Sequence, residues 1–390
     1  MAPWGRAARQ SVVAVAMATF IALAGCKRPP LSREGRPIYA VGRPAEKTAL
    51  EANGYATCAL RKDGKYCWGT DLQYPTPTRF PRHTGPIALG STHYCVLNAD
   101  GSVACIGRNA SGEIGDGTRE LRSSLTPVLH LSEVTQIAAG SFKSCAIASS
   151  GERRDQVFCW GAEEGQFGLS SASPTRRRIG TIEDARELAI GEGLSCVRRG
   201  NGTVWCWGTD TQGELGRGDE GMPWTNQQRP PASEPVRVLH VDDAVGIGAG
   251  AFFGCVLTSR GTVGCWGKNR YGALGDGTTR SRSYASDVHG LSDVAQIAVG
   301  SFGHACARER DGSVWCWGYD IGRVLEGGER LTPQRVEGLT DAVDLAAGHT
   351  HVCARRKNGA VVCWGHNDQL QLARSLRVTS ARPVEVLGPE

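Results

Sequence analysis

Residues 140–161 read GSFKSCAIASSGERRDQVFCWG, and this stretch decides the fold because versions of it recur along the chain. GSTHYCVLNADGSVACIG stands at 90–107, GEGLSCVRRGNGTVWCWG at 191–208 and GAFFGCVLTSRGTVGCWG at 250–267. Residues 300–318 and 348–365 continue the series, and a worn copy at 54–69, GYATCALRKDGKYCWG, makes seven. Self-similarity at a fixed period is the mark of a repeat architecture. From the second copy on, the leading glycines fall at 90, 140, 191, 250, 300 and 348, a period of about 50 that consumes nearly all of a 390-residue chain.

Each unit reads as four short strands. Gln136 to Gly140 is a small-residue strand ending on glycine, as a strand crowded near an axis requires. Cys145 to Ala148 and Val157 to Trp160 are β-rich runs joined by a turn. In other copies that turn is Asp63-Gly64, Asp100-Gly101, Asp311-Gly312, Asn201-Gly202 or Asn358-Gly359, dipeptides that accept the positive φ of a tight hairpin. A fourth strand is expected to start at Pro127, Pro235, Pro333 and Pro383, since proline is tolerated on an edge. A solenoid of such units would need capping repeats, whereas a closed ring would not. The expectation is an all-β, seven-bladed propeller. Its closure is open in the sequence: the strand near Val384 completes the seventh blade, or Ile38 to Val41 is borrowed into it.

Composition agrees. Glycine numbers 52 against 18 prolines, yet hydrophobic residues reach 40%, enough for a core with many turns. The net charge of +5 is small and its basic residues are scattered, so no nucleic-acid partner is expected.

Fourteen of the 15 cysteines fall two per unit. In a hairpin centred on Asp100-Gly101, Cys95 and Cys105 oppose each other, and opposed antiparallel positions lie within disulfide range. The expected bridges are Cys58–Cys67, Cys95–Cys105, Cys145–Cys159, Cys196–Cys206, Cys255–Cys265, Cys306–Cys316 and Cys353–Cys363, one per blade. No metal and no cofactor is expected: His93, His304 and His351 precede a cysteine by two residues, but the other units have Ala56, Lys143, Leu194 and Phe253 there, and the spacing is not that of a zinc knuckle. Tryptophan follows the second cysteine in six units, at 68, 160, 207, 266, 317 and 364, with Ile106 in the remaining one. Because strand neighbours face opposite sides, cysteine and tryptophan should look at different neighbouring blades.

The fifteenth cysteine is Cys26. Arg6 and Arg9 precede an uncharged apolar run from Ser11 to Gly25 that ends Leu23-Ala24-Gly25-Cys26, a run of signal-peptide length. It resembles a bacterial lipobox, which implies cleavage before Cys26 and lipidation of its sulfur. The expected organisation is a signal peptide at 1–25, a lipidated tether at 26–47 and the propeller at 48–390. Lys27 stands where aspartate would signal inner-membrane retention, so the resemblance points to an outer-membrane lipoprotein of the cell envelope, held to the membrane by its lipid.

Cys-Trp-Gly followed by a Gly-x-Leu-Gly-x-Gly element (213–218 and 272–277), then Pro-x-x-Val, resembles the regulator of chromosome condensation repeat family across residues 48–387. That family folds as a seven-bladed propeller. Its eukaryotic founder exchanges guanine nucleotide on the small GTPase Ran, and secreted bacterial members include a protein inhibitor of β-lactamase. An exported chain would not meet that GTPase, so no GTPase partner is expected. What the resemblance implies is a propeller face that binds another protein.

Catalytic chemistry should break the repeat with convergent polar groups, and no such break is found. Gly246-x-Gly248-x-Gly250 lies on the small-residue inner strand rather than before a helix. Arg217-Gly218-Asp219 occupies an ordinary repeat slot. Asn109 and Asn201 match glycosylation acceptors, but a bacterial export route leaves them uninformative. Gly115-Asp116-Gly117-Thr118 and its echo at 275–278 lack the carboxylate density of a calcium loop. The longest irregular stretch, Thr209 to Glu234, holds Trp224, an aromatic outside the core pattern and hence a candidate interface anchor. The turns after the inner-strand glycines carry Phe142, Phe252, Phe253, Phe302, His349 and His351. These either ring one mouth of the propeller as a docking patch or plug its axis. The expected function is non-enzymatic binding of an unidentified protein. The alternatives are a hydrolase or lyase of envelope polymers using the central channel, and a purely structural surface component.

Overall fold

β-Branched and small residues in short runs, punctuated by Asp-Gly and Asn-Gly, favour antiparallel hairpins over any other local structure. The computed structural model describes residues 49–69, 74–80, 85–150, 153–162, 173–218, 231–319, 329–374 and 377–390, all within one compact unit of Val41–Glu390. It folds these runs into seven four-stranded antiparallel sheets, and no helix occurs among the described residues. The sheets are the blades of a propeller, spanning residues 50–79, 87–127, 134–178, 185–237, 244–287, 294–335 and 342–387. In every blade the four strands follow one another in chain order from the axis outward. Blade three, for example, runs Val134–Ala139, Lys143–Ser150, Arg153–Gly161 and Ser173–Arg178.

The ring is closed. Innermost strands touch in cyclic order, including that of blade seven against that of blade one. The strand Ser380–Leu387 pairs with Val361–Gly365 to complete blade seven, so among the described residues that blade takes its four strands from one continuous stretch of chain; Ile38 to Val41 lie outside the described residues. The described seam is made by side chains and turns. Leu50 N donates to Asp344 Oδ2 (3.0 Å), His349 N to Gly54 O (2.7 Å) and Trp68 Nε1 to Gln371 O (2.9 Å).

The leading glycines crowd the axis as expected. A Cβ on Gly90, Gly140, Gly191, Gly250, Gly300 or Gly348 would strike the carbonyl oxygen of the corresponding glycine in the next blade, the last of these being Gly54. The prolines depart from expectation. Pro127 ends its outer strand, while Pro235, Pro333 and Pro383 lie inside theirs. An outermost strand has one unpaired side, and a residue that lacks an N–H is accommodated there without losing a ladder bond.

All seven cysteine pairs sit in direct register and are bridged, with Cα–Cα separations of 4.1 Å. Six of the seven interblade cores take their cystine from one blade and a tryptophan from the next, the exception being that between blades one and two, where blade two has Ile106 in place of tryptophan. Cys95 and Cys105 pack with Trp160, Cys196 and Cys206 with Trp266, and Cys353 and Cys363 with Trp68. The indole is also tied by its nitrogen. Trp160 Nε1 donates to Glu113 O (2.8 Å), Trp266 Nε1 to Glu214 O (2.8 Å) and Trp317 Nε1 to Ala273 O (2.9 Å). These carbonyls belong to the Gly-x-Leu-Gly elements of the preceding blade. Gly115, Gly216 and Gly275 in those elements leave the space the indoles fill, and Ile114, Leu215 and Leu274 beside them are fully buried.

Candidate functional site

The two faces of the ring are built from different connections. On one, the turn between the innermost and second strands is hydrogen-bonded to the start of the connection leading to the outermost strand. Ala162 N donates to Phe142 O, Thr209 N to Gly193 O, Lys268 N to Phe252 O and Tyr319 N to Gly303 O. On the other face, the hairpin tips bond the crossovers between blades, as Val134 N does to Gly101 O and Ala342 N to Gly312 O. On that second face arginine–aspartate pairs recur at the same place in three blades: Arg199 pairs with Asp184 (2.6 Å), Arg310 with Asp293 (2.8 Å) and Arg356 with Asp341 (2.8 Å). The first face is aromatic.

There, rings from four blades touch edge to face in one continuous arc. Tyr55 of blade one meets His349 of blade seven at 5.2 Å between centroids, and His349 meets Phe302 of blade six at 5.1 Å. Phe302 meets Tyr319 at 4.8 Å, and Tyr319 meets Tyr271 of blade five at 5.3 Å. Two cations cap the blade-five end, Arg270 lying over Tyr271 (5.4 Å) and Lys268 over Phe252 (4.9 Å). Phe302 is 40% exposed, although burial of so large an apolar ring is favourable.

The residues singled out from sequence therefore separate. Phe302 and His349 lie in the arc and Phe252 at its cationic end. Phe142 is exposed on the same face but in blade three, outside the arc. Phe253 is a correction: it is 2% exposed and packs over Gly250 inside the core between blades five and six. Strand alternation puts it on the face opposite Phe252. His351 is likewise buried. The turns thus send one residue to the surface and its neighbour into the packing between blades. Trp224 and Cys26 lie outside the described residues. Tyr55, Tyr271 and Tyr319 were missed. Their signal was present, since each neighbours a Gly-x-Leu-Gly element or a repeat-leading or repeat-ending glycine, but nothing in one repeat shows that rings 48 residues apart, such as Tyr271 and Tyr319, will touch.

Among the described residues the histidine of the arc is His349. Burial lowers the pKa of His349, while Glu192 and Asp368 act on it the other way. Among the described residues no hydrogen bond or ion pair joins His349 to either. His93, His304 and His351 are each buried, with pKa values pushed down to about 4, about 3 and about 3 by desolvation. His93 Nε2 is 2.8 Å from Ser144 Oγ and His351 Nε2 is 2.7 Å from Thr57 Oγ1, each partner being in the next blade. Among the described residues no group of three or more His, Cys, Asp or Glu is placed to hold a metal ion. Asp116 and Asp276 are occupied by Arg122 and Arg282, Arg217 is paired with Asp210 (2.7 Å), and Asn109 is buried with its amide donating to Asp116 and Thr118.

A closed ring of seven cystine-stapled blades, with one face bearing recurrent arginine–aspartate pairs and the other carrying rings from four blades, belongs to the class of repeat propellers whose specificity lies in surface connections. The chain belongs to the RCC1-like domain family, whose model matches residues 64–389. The mitochondrial RCC1 domain-containing protein RUG3 of Arabidopsis thaliana is 28% identical over 246 residues, covering 60% of this chain and 53% of RUG3. The human E3 ubiquitin-protein ligase HERC2 is 28% identical over 320 residues, 75% of this chain but 6% of HERC2. The chain thus spans about half of the first relative and a small fraction of the second. Among solved structures, Prp20p of Saccharomyces cerevisiae superposes with a TM-score of 0.70 at 18% identity, covering 89% of this chain and 90% of Prp20p. Human WBSCR16 gives 0.68 at 20% identity, with 81% and 86% covered. At these identities the structures speak for the fold.

Proposed function

We propose that this chain is a non-enzymatic lipoprotein of the bacterial cell envelope that binds another protein through the aromatic face of its propeller. The observation that carries the reading is the unbroken contact from Tyr55 through His349, Phe302 and Tyr319 to Tyr271. Aromatic rings on a rigid scaffold give large contact area at little entropic cost and are the commonest anchors of protein interfaces. The opposite face, where Arg199, Arg310 and Arg356 are already paired with aspartates, offers exposed ion pairs worth about 0–1 kcal/mol each. Prp20p is described by its binding to Gsp1p and histones, which is in keeping with a propeller that docks proteins. The envelope location rests on the lipobox at Cys26 and on the cystine in every blade, since such bridges persist in oxidising compartments.

Capture from the native envelope, comparing wild type with Phe302→Ala/Tyr319→Ala, tests the binding reading. The double variant should lose a partner that wild type retains, and identical partner lists would overturn the assignment. Labelled palmitate should enter the wild-type chain but not Cys26→Ser; labelling of both, or of neither, would remove the lipoprotein part.

A further inference from the structure

The cationic end of the arc differs from the rest of that face. The blade-five connection from Lys268 to Arg282 carries Lys268, Arg270, Arg280 and Arg282 against one carboxylate, Asp276. Asp276 is already taken, its Oδ2 lying 2.9 Å from an Arg282 nitrogen. The corresponding connection of blade two, from Arg108 to Arg122, balances three arginines with Glu113, Asp116 and Glu120. Blades two and five each pair one arginine with one aspartate at the same places in this connection, which leaves Lys268, Arg270 and Arg280 over. Among the described residues none of the three enters a salt bridge, and Lys268 and Arg270 are instead laid over the rings of Phe252 and Tyr271.

A cation held on an aromatic face is fixed in position while its outward side stays open to an anion. We infer that blade five is the specificity end of the docking face and that it recognises an acidic segment of the partner protein, with clustered aspartate or glutamate beside apolar residues. The carboxylates meet Lys268 and Arg270, and the apolar residues lie along Tyr271, Tyr319 and Phe302. Charge complementarity of this kind sets orientation, partner choice and association rate more than it sets total affinity. This inference rests on the docking-face reading, and its test separates the two.

Random peptides of about 12 residues displayed against the full chain should enrich for acidic sequences containing apolar residues. A synthetic peptide from that pool, followed by fluorescence anisotropy, should bind about tenfold or more weakly to Lys268→Gln/Arg270→Gln, and more weakly to wild type as salt rises from about 0.05 to 0.3 M. Enrichment of neutral or basic peptides overturns the inference, as does an affinity that the glutamine pair leaves unchanged. Binding of polygalacturonate at Lys268 and Arg270 with no acidic peptide bound also overturns it, by making the anion a polysaccharide. If envelope capture is lost in Phe302→Ala/Tyr319→Ala but kept in Lys268→Gln/Arg270→Gln, the docking face stands and the acidic partner falls. If neither variant loses capture, both fall.

Discussion

His304 is where the repeat leaves a polar side chain unmatched. His93 and His351 each meet a hydroxyl of the next blade, Ser144 and Thr57, but the equivalent position beyond His304 is Val352, and among the described residues no side chain hydrogen-bonds either ring nitrogen of His304. A buried group left so costs about 1–3 kcal/mol. Its pKa falls from 6.5 in the unfolded chain to about 3, so between those values the unfolded chain binds the extra proton. Stability therefore falls as pH drops through that window, by about 2 kcal/mol at pH 5 from this residue alone. Blade five has Phe253 at the same position. His304→Phe should raise the melting temperature at pH 5 and flatten its dependence on pH; an unchanged slope between about pH 7 and 4 would reject this account. Glu51 works with the opposite sign. Burial raises its pKa from 4.5 to about 7, so the folded chain holds the extra proton and stability falls as pH rises through that range. Cysteines, tryptophans and leading glycines were legible because each recurs at a fixed place within its own unit. The hydroxyls that meet His93 and His351, and the valine that faces His304, were not, since each lies one blade away.

At the level of the strand, the axis depends on the absence of side chains. A Cβ at Gly191 would overlap the carbonyl of Gly250, whereas one at Gly264, in the middle of a third strand, would meet its nearest atoms at 3.6 Å. Gly191→Ala should cost about 3 kcal/mol or more, or prevent accumulation of folded protein, while Gly264→Ala stays within about 1 kcal/mol. Equal melting temperatures for the two variants would contradict the crowding argument. The same inner strands carry a device that no single repeat discloses. Gln136 Oε1 accepts from Leu188 N (3.0 Å), Glu51 Oε2 from Ile87 N (3.2 Å) and Asp344 Oδ2 from Leu50 N (3.0 Å), so a side chain of one blade satisfies a strand N–H of the next. These positions read as polar interruptions of a small-residue strand, and only the ring gives them partners. The prolines show a related limit. Their residue type marks an edge strand, but the register that places them inside it depends on the irregular pairing beside the third-strand cysteine.

For the whole molecule, the described seam between blades seven and one is made by side chains and turns, with Asp344 and the C-terminal turn reaching across it. Arg61 reaches across to Gly388 O (2.9 Å) and to Glu390 (3.3 Å). Asp344→Ala should therefore speed amide exchange selectively in blades one and seven, whereas Gln136→Ala should act at blades three and four. Uniform acceleration around the ring in both variants would show that the seam is no weaker than any other joint. The seven bridges add a temporal property. Every cystine joins consecutive cysteines, separated by 9 to 14 residues, and each closes a hairpin that is complete before the next cysteine arrives. With the sulfur of Cys26 taken by lipid, as proposed above, a chain threaded N-terminus first into an oxidising space would reach its native pairing simply by oxidising the remaining thiols in order of emergence. Such a protein has little need of a disulfide isomerase, because its correct connectivity is also its earliest.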